Sequence, residues 1–587
     1  MTAFSAPRAL LALALFAAAS ALAQDAAPGD WPTHGRDLSN QRFSPLKEID
    51  AANVRALVPK WIYQTGKAAT FQSTPLVRDG VLYLSEPFSS VAALDARTGE
   101  RLWRYEHKPK TTKLCCGPAN RGVALGDGLV FVGAVDARLI ALDAKTGAVV
   151  WERDLDPADP KAAEESAAQL GERFGGRAAT GQSGLGANSA PLYHDGKVYV
   201  GVSGAGYGLH LESARPGAPL GAVVGFEGAY GATGFLAAFD AKTGEELWRF
   251  DTAGPGWEGD FVEKTAYGAL LHRDVAKEKA EAPAAREAWR HAGGSVWHAP
   301  AFDEQLGLLY FGTGNPSPQA TGDGRPGDNL HTVSLVAVEA ATGKLRWAYQ
   351  QVPHDVWGYD VASPPVLFDL EVDGAKIPAV GQASKLGWYF VHDRRDGRLV
   401  YMSPAFVPQA NMFSPPTPEG VVVSPGVGGG VNWSPTSVDA QKGVAYLAAM
   451  NLPTRYRSAE LPAHDGKPPL PYASIEPATD GASGVVAALD LNNKGAILWS
   501  HETPQPMVGG VLATAGGLVF AGEGNGWFDA LDAASGKTLW RFNCGAGVNA
   551  PPVSYEIDGR QYVAVAAGGS AIWGYPQGDA LIVFGLP

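Results

Sequence analysis

The chain has 587 residues, a formal net charge of -13 at pH 7 and only three cysteines. This acidic balance argues against nucleic acid and anionic membrane surfaces as partners, because both would repel the protein. Glycine and proline are abundant, at 73 and 43 residues, and 16 tryptophans are spread along the chain, a composition typical of many short strands joined by turns. We therefore expect one large all-β body.

The N-terminus has the pattern of an export signal. Arg8 precedes an apolar run from Ala9 to Ala23, which ends in the small-x-small sequence Ala21-Leu22-Ala23. Such a run is too short to remain as a membrane span. We expect residues 1–23 to be a signal peptide cleaved near Ala23, residues 24–587 to form the exported domain, and no later segment to cross a membrane.

Two adjacent cysteines, Cys115 and Cys116, stand out in a chain with so few. Successive Cα atoms lie about 3.8 Å apart, so a bridge between these residues would close a tight ring. The alternatives are two reduced thiols or pairing elsewhere, but an oxidising compartment favours the adjacent disulfide. That ring would offer a flat surface to a planar cofactor. The remaining cysteine, Cys544, is predicted to be a buried thiol.

One phrase recurs along the chain: a strand of small and apolar residues, then Asp, then Gly four residues later, then an aromatic residue about four further on. The copies are Val91–Trp103, Leu139–Trp151, Phe235–Trp248, Leu335–Trp347 with Glu339 in place of Asp, Tyr389–Tyr401, Val485–Trp499 with one residue inserted, and Trp527–Trp540. A truncated copy, Leu57–Trp61, opens the series. Eight aromatic residues at this spacing predict an eight-bladed β-propeller, with the aromatics packed between blades.

Other segments complete this predicted architecture. The C-terminal strands Gln561–Ala566 and Ala580–Phe584 are expected to pair with early strands and close the ring. Three insertions, Pro157–Gly186, Leu209–Tyr230 and Phe261–Ala292, are long enough to form loops over a central site, and the Ala/Glu/Lys-rich part of the third predicts short helices.

Several short motifs together carry a family resemblance. They are Cys115-Cys116, Asn120-Arg-Gly122, Gly293-Gly-Ser-Val-Trp297, Gly312-Thr-Gly-Asn315, Arg325-Pro-Gly-Asp-Asn329 and Asn432-Trp433. With the repeats and the export signal, the chain resembles the quinoprotein alcohol dehydrogenases from Trp31 to the last blade. These are periplasmic eight-bladed propellers that carry pyrroloquinoline quinone (PQQ) and usually calcium.

The resemblance implies a cofactor site on the propeller axis. PQQ would lie between the Cys115–Cys116 ring and the face of Trp297, because a planar quinone gains stacking on both faces. Arg121 and Lys385 match positions that contact the carboxylate and quinone oxygens of the cofactor. The remaining expected cofactor residues are Ser203, Gly204, Asn432 and Trp433.

The resemblance also implies an oxygen-rich metal site, as Ca²⁺ requires. Asn315 matches the amide ligand of the family. Relatives place a glutamate close to the strand end at Ser203, but this chain has Gly206 there, so we expect Glu227, or failing it Glu212, to be the carboxylate ligand.

The expected general base lies in the segment His354–Asp360. Relatives commonly read Trp-Asp-Tyr, whereas this chain has Gly358 at the Asp position and Asp360 two residues on. We expect Asp360 to serve as base and metal-side carboxylate; the alternative is a catalytically altered member. Gln72 replaces a usual Glu, and Val508 replaces a Trp that often shields the quinone, which predicts a wider pocket and a bulkier or secondary alcohol.

The sequence thus predicts a dehydrogenase that oxidises an alcohol or polyol. It contains no Cys-x-x-Cys-His haem attachment motif, so an external acceptor is expected, namely a soluble cytochrome c. The alternatives are a non-catalytic propeller scaffold similar to outer-membrane assembly proteins, and a quinone-binding protein that lost its base at position 358. A lanthanide in place of calcium is a further alternative, since a second Asp two residues after the usual one is associated with that metal.

Overall fold

The structure is a computed structural model that describes residues 29–110, 114, 116–156, 179–180, 185–204, 210–211, 221–222, 232–372, 374–461, 463, 466, 469–478 and 480–587. Strands are the main regular secondary structure of the described residues, as the sequence predicts.

The strands of the first half, in chain order, are β1 (Phe43–Ser44), β2 (Val58–Gln64), β3 (Leu76–Arg78), β4 (Val81–Ser85), β5 (Val91–Asp95), β6 (Arg101–Tyr105), β7 (Ala124–Gly126), β8 (Leu129–Ala134), β9 (Arg138–Asp143), β10 (Val149–Asp154), β11 (Ala179–Thr180), β12 (Leu192–His194), β13 (Lys197–Val202), β14 (His210–Leu211), β15 (Gly221–Ala222), β16 (Phe235–Asp240), β17 (Glu246–Asp251), β18 (Ala301–Asp303), β19 (Leu308–Gly312), β20 (Ser334–Glu339) and β21 (Leu345–Gln350). The strands of the second half are β22 (Val366–Val372), β23 (Ala375–Ala383), β24 (Tyr389–Asp393), β25 (Leu399–Met402), β26 (Val421–Val423), β27 (Ser437–Asp439), β28 (Val444–Asn451), β29 (Thr454–Leu461), β30 (Leu470–Pro477), β31 (Ser483–Asp490), β32 (Ala496–Thr503), β33 (Val511–Thr514), β34 (Leu518–Gly522), β35 (Trp527–Asp532), β36 (Thr538–Asn543), β37 (Val553–Ile557), β38 (Arg560–Ala567) and β39 (Ala580–Gly585).

Helices are few in the described part of the chain. The α-helix α1 spans Val275–Glu281, and short 3-10 turns span Val54–Ala56, Pro87–Ser89, Ala282–Ala284, Ala288–His291 and Leu491–Asn493. The Asp274 side chain caps α1 by accepting a hydrogen bond from the Lys277 amide. No helix among the described residues combines the length and the hydrophobicity needed to cross a bilayer.

Eight of the ten sheets among the described residues have the strand order expected of propeller blades, which fits the eight blades predicted from the sequence. Blades 1 and 2 are β3–β6 and β7–β10, blade 3 is β12-β13-β16-β17, blades 4 and 5 are β18–β21 and β22–β25, blade 6 is β27-β28-β31-β32, blade 7 is β33–β36 with β1 at its edge, and blade 8 is β37–β39 with β2. Two small sheets, β11-β14-β15 and β26-β29-β30, lie in insertions of blades 3 and 6.

The repeated phrase is the joint between neighbouring blades. Each Asp accepts hydrogen bonds from its own turn, as Asp143 does from the Thr146 amide at 2.8 Å. The following glycine has a positive φ, 72° at Gly147, and a Cβ there would lie 2.5 Å from the Trp103 indole of the preceding blade. That indole donates to the Ala144 carbonyl at 2.9 Å. Equivalent bonds to the next blade are made by Trp151, Trp248, Trp347, Tyr401 and Trp499.

Pairing between the two ends of the chain closes the ring. The predicted pairing with an early strand is confirmed for Ala580–Phe584, which lies in β39 and pairs with β2. It is wrong for Gln561–Ala566, which lies in β38 and pairs with β37 and β39. Strand β2 runs antiparallel to β39 along its length, with Ile62 opposite Ile582. Because β37, β38 and β39 come from the C-terminus, blade 8 joins chain segments more than 500 residues apart, as is common in closed propellers.

The segment Trp31–Ser44 ties blades that are not neighbours. Its backbone bonds to blade 1 at Val77, to blade 4 at Phe302, to blade 5 at Leu367, to blade 6 at Val438 and to the blade 7 turn at Ala515. A segment that reaches so many blades must cross the propeller axis. It therefore closes one end of the ring.

The third insertion docks onto blade 4 through a buried ion network. Arg273 contacts Glu278 of α1 at 2.5 Å and Asp328 at 2.6 Å, and all three side chains are buried. Glu278 also accepts from the Gly327 amide. These bonds hold the insertion against the loop between β19 and β20.

Candidate active site

The fold gathers the predicted site residues at one end of the propeller. Because the first two strands of a blade are antiparallel, the residue before the first strand and the residue after the second lie at the same end. Arg121, Trp297, Asp360 and Trp433 precede first strands, and Ser203, Asn315 and Lys385 follow second strands, so five blades contribute to this end.

The centre of the site is an ion pair between blade 5 residues. The Lys385 Nζ atom lies 2.6 Å from the Asp360 Oδ2 atom and also donates to the Gly358 carbonyl at 2.8 Å. The second oxygen, Asp360 Oδ1, accepts from the backbone amide of Asn315 at 2.6 Å. Both charged side chains are buried. The carboxylate is therefore fixed by one charge-assisted bond and one backbone bond.

Arg121 lies between two indoles. Its guanidinium carbon is 5.0 Å from the centroid of the Trp297 ring and 4.8 Å from that of Trp433, and its Nη1 atom donates to the Trp297 carbonyl at 3.2 Å. A buried cation over two aromatic faces is attracted by both rings. The motifs of blades 2, 4 and 6 thus meet at this arginine.

Trp433 belongs to a buried apolar cluster at this end. Met450, Leu452, Val508 and Tyr575 share it, and Trp297, Ala482 and Trp573 pack against it. Val508 is fully buried within the cluster. Trp573, which no sequence motif singled out, thus adds an indole to the cluster that holds Val508. Asn432 stabilises the turn beside Trp433, since its amide donates to the Gly428 carbonyl.

Ser203 and Gly204 lie where glycine backbones pack closely. The Gly204 amide donates to the Ser295 hydroxyl at 3.0 Å, two residues before Trp297. A Cβ at Gly204 would lie 2.7 Å from the Gly234 nitrogen and would overlap the Gly293 carbonyl. Only glycine fits, so the strand end can approach the Trp297 motif closely.

Comparison with known proteins identifies the family. Residues 31–411 and 480–563 match the PQQ family described as glucose/ethanol/alcohol dehydrogenase, beta-propeller domain. The chain belongs to this family. The quinohemoprotein alcohol dehydrogenase ADH IIB of Pseudomonas putida is 34% identical over 96% of this chain and 77% of its own length. The quinoprotein ethanol dehydrogenase of Pseudomonas aeruginosa is 33% identical over 98% of this chain and 95% of its own.

Solved structures agree with this assignment. The quinohemoprotein alcohol dehydrogenase from Comamonas testosteroni aligns with a TM-score of 0.75 and 31% identity, covering 96% of this chain and 81% of that one. A europium-containing methanol dehydrogenase aligns with a TM-score of 0.75 and 26% identity, covering 96% of this chain and 99% of that one.

The residues gathered at this end are of the kinds that suit a planar, anionic cofactor. Arg121 and Lys385 are buried cations, and Trp297 and Trp433 are aromatic. Gln72 is buried, and its Oε1 atom has no hydrogen-bond partner in the described part of the chain. A bound polar group would satisfy such an atom.

Two of the predicted metal ligands, Asn315 and Asp360, lie within the described residues. The Asn315 Nδ2 atom donates to the Pro316 carbonyl at 3.0 Å, and the backbone amide of Asn315 donates to Asp360. Glu227 and Glu212 lie outside the described residues. Within the described ranges, no group of three or more His, Cys, Asp and Glu side chains is close enough to hold a metal.

The two adjacent cysteines differ in what the structure shows. Cys115 lies outside the described residues. Cys116 is half-buried and packs with Leu114 and Val135. The third cysteine, Cys544, is a free, partly buried thiol, and burial raises its pKa to about 12. Asp136 accepts hydrogen bonds from the Lys110 amide and from the His107 side chain. These bonds fix the segment that follows β6 and precedes the two cysteines.

The loop that carries Asp360 is held by groups that sequence reasoning missed. The fully buried Asp355 accepts from the amides of Trp357, Gly358 and Tyr359, and burial raises its pKa to about 6. Tyr456, from the inserted strand β29, donates to the Trp357 carbonyl at 2.7 Å. Asp355 lies in the segment His354–Asp360 that the sequence singled out. No sequence pattern predicted that Tyr456 would contact this segment.

Proposed function

We propose that this protein is a periplasmic dehydrogenase that oxidises an alcohol or polyol with PQQ and Ca²⁺ and passes the electrons to a soluble cytochrome c. The observation that carries the proposal is the Asp360 carboxylate, which is fixed between Lys385 and Asn315 at the same end of the propeller as Arg121 and its two indoles. The family of the chain and the names of its relatives support the alcohol and the quinone.

Asp360 is the proposed general base. A carboxylate offers about four lone-pair positions, two on each oxygen. Lys385 uses one on Oδ2 and the Asn315 amide one on Oδ1, so each oxygen retains a position that can accept the hydroxyl proton of the substrate. A base placed in this way typically contributes about 10²–10⁴-fold to the rate.

The cofactor would be held by this chain's own groups. PQQ, when bound, supplies the acceptor for the hydride of the alcohol carbon, and a metal ion beside it supplies positive charge. Arg121 and Lys385 would bind its anionic oxygens, and Trp297 and a Cys115–Cys116 disulfide would offer surfaces for its two faces. Ser203, Gly204, Asn432 and Trp433 shape the rim.

The proposed metal is Ca²⁺ with Asn315, Asp360 and Glu227 as ligands, since their oxygens suit a hard cation. A lanthanide would use the same oxygen donors. Metal analysis of protein produced with each ion supplied separately decides between them.

The proposed electron acceptor and the proposed cellular location rest on features of the sequence. The sequence has no haem attachment motif, so the electrons must leave for another molecule. A net charge of -13 favours a basic partner such as a soluble cytochrome c. Residues 1–23 are the proposed signal peptide that delivers the single propeller domain, residues 24–587, to the periplasm.

A reconstitution assay tests the proposal. Purified protein is incubated with PQQ and Ca²⁺, and dye reduction is followed across primary, secondary and polyhydric alcohols. We expect turnover that depends on both PQQ and metal. Quinone binding without turnover of any alcohol would contradict the proposal and favour a quinone-binding protein, whereas no binding would favour a scaffold.

A further inference from the structure

Gly358 is the position where this chain departs from the family pattern, and a glutamine fills the adjoining space. Gly358 has a φ of 81°. A Cβ built on it would overlap the Nε2 atom of Gln319, and would lie 3.1 Å from both the Gln319 Cδ atom and a methyl group of Val427. The Gln319 amide therefore occupies the place that a side chain at position 358 would take.

The loop that carries Gln319 is fixed at this place. Arg325, which is fully buried, donates to the Pro318 carbonyl at 2.8 Å, to the Asn329 side chain at 2.6 Å and to the Asp355 carbonyl at 2.6 Å. One guanidinium thus ties the residue before Gln319 to the start of the loop that contains Gly358 and Asp360. These hydrogen bonds of Arg325 hold Gln319 close to Gly358.

The Gln319 amide is available to a ligand. Its side chain is half-buried, and none of the described residues donates to it or accepts from it. On the other side of Gly358, the carbonyl of that residue accepts from Lys385, which holds Asp360. A neutral amide with both a donor and an acceptor therefore stands near the proposed base.

The geometry points to Gln319 as a substrate-positioning residue that selects alcohols with a second hydroxyl group next to the reacting one. This inference rests on the proposed function and deepens it. Asp360 would accept the proton of the reacting hydroxyl, while the Gln319 amide hydrogen-bonds the neighbouring hydroxyl. A plain alkanol would leave the amide unpaired in the closed site, and sites built to bond a hydroxyl reject analogues that lack it.

The first test compares matched substrates in matched variants. The ratio of kcat/KM for ethylene glycol to that for ethanol, and for glycerol to that for propanol, is measured for the wild type, Gln319→Leu and Gln305→Leu. Gln305 is an exposed residue of a blade 4 hairpin and serves as the control. We expect Gln319→Leu to lower both ratios about tenfold, because one hydrogen bond to the substrate is lost. The change should appear mainly as a higher KM for the polyol. Unchanged ratios in an active enzyme would overturn the inference while the proposed function stands.

The second test needs no activity. Thermal unfolding is measured for Gly358→Ala, Gln319→Ala and the double variant. We expect Gly358→Ala to lower Tm more in the presence of Gln319 than in the Gln319→Ala background, where the backbone strain of a positive φ and the close approach to Val427 remain. Additive effects would show that Gln319 does not occupy the space beside Gly358. If the two substitutions have non-additive effects on Tm but the protein oxidises no alcohol, the proposed function is contradicted, and with it the substrate role of Gln319.

Discussion

The Lys385 ammonium lies 2.6 Å from the Asp360 carboxylate at a buried position where blades 4 and 5 meet. Burying two charges is costly, and their attraction offsets this cost only while both are present. The pair is therefore sensitive to the loss of one partner, and the unpaired charge would remain in the site where the proton transfer is proposed.

Removal of the cation alone should destabilise the fold. For Lys385→Met we expect the free energy of unfolding to fall by about 3 kcal/mol, because Asp360 stays buried without its ammonium. The double variant Lys385→Met/Asp360→Asn should recover most of this loss. Denaturant unfolding of both variants measures the effect, and equal stability of the two variants would contradict the importance of the ion pair.

The blade joints should matter for stability and not for activity. Trp248 donates its indole N–H to the Ala340 carbonyl of the next blade at 3.0 Å. We expect Trp248→Ala to lower the free energy of unfolding by about 3 kcal/mol with kcat/KM unchanged in the folded protein. The adjacent Leu247 is exposed, so Leu247→Ala is the control and should change stability by less than about 0.5 kcal/mol.

Asp355 should be essential as a hydrogen-bond acceptor. Asp355→Ala leaves the amides of Trp357, Gly358 and Tyr359 without their acceptor, and a buried unpaired amide costs about 1–3 kcal/mol. We expect lower stability and lower kcat, since this loop positions Asp360. Asp355→Asn retains an acceptor oxygen and should lie between the wild type and Asp355→Ala; identical behaviour of all three would refute the role.

The contribution of three buried histidines to stability should fall as the pH drops below about 6.5. Burial lowers the pKa of His298 and His392 to about 4 and that of His354 to about 3. The unfolded chain binds these protons near pH 6.5 but the folded chain does not, so stability is lost as pH falls from 6.5 toward 4.

His392 offers a clean test of this pH dependence because it lies in β24 and not in the site. Its Nδ1 atom donates to the Gly397 carbonyl, a bond that an asparagine amide can replace without titrating. We expect His392→Asn to reduce the pH slope of unfolding by up to about 1.4 kcal/mol per pH unit between pH 6.5 and 4. An unchanged slope would show that His392 does not contribute.

The blades were predictable because each carries its own local signal. The Asp turn, the glycine with positive φ and the tryptophan of the next strand occur within one repeat, as at Asp143, Gly147 and Trp151, so hydrogen bonding and turn chemistry determine them locally. Ring closure pairs β2 with β39 and is not local, so its prediction rested on the closed architecture that the repeats imply.

The site was predictable only where residues lie in motifs beside strands. Arg121, Trp297, Asn315 and Lys385 follow or precede blade strands, and the fold brings them to one end. Gln319 and Tyr456 lie in no such motif, and their contacts depend on tertiary packing. No sequence pattern specified that Gln319 would fill the space beside Gly358.

The most direct test of the account is the activity of Asp360→Asn in protein loaded with PQQ and Ca²⁺. The amide keeps the shape of the carboxylate but cannot accept the proton as a base. We expect quinone binding, followed by tryptophan fluorescence, to persist while kcat for alcohol-dependent dye reduction falls at least about 100-fold. Full turnover by the Asp360→Asn variant would show that another group is the base and would contradict the account of this site.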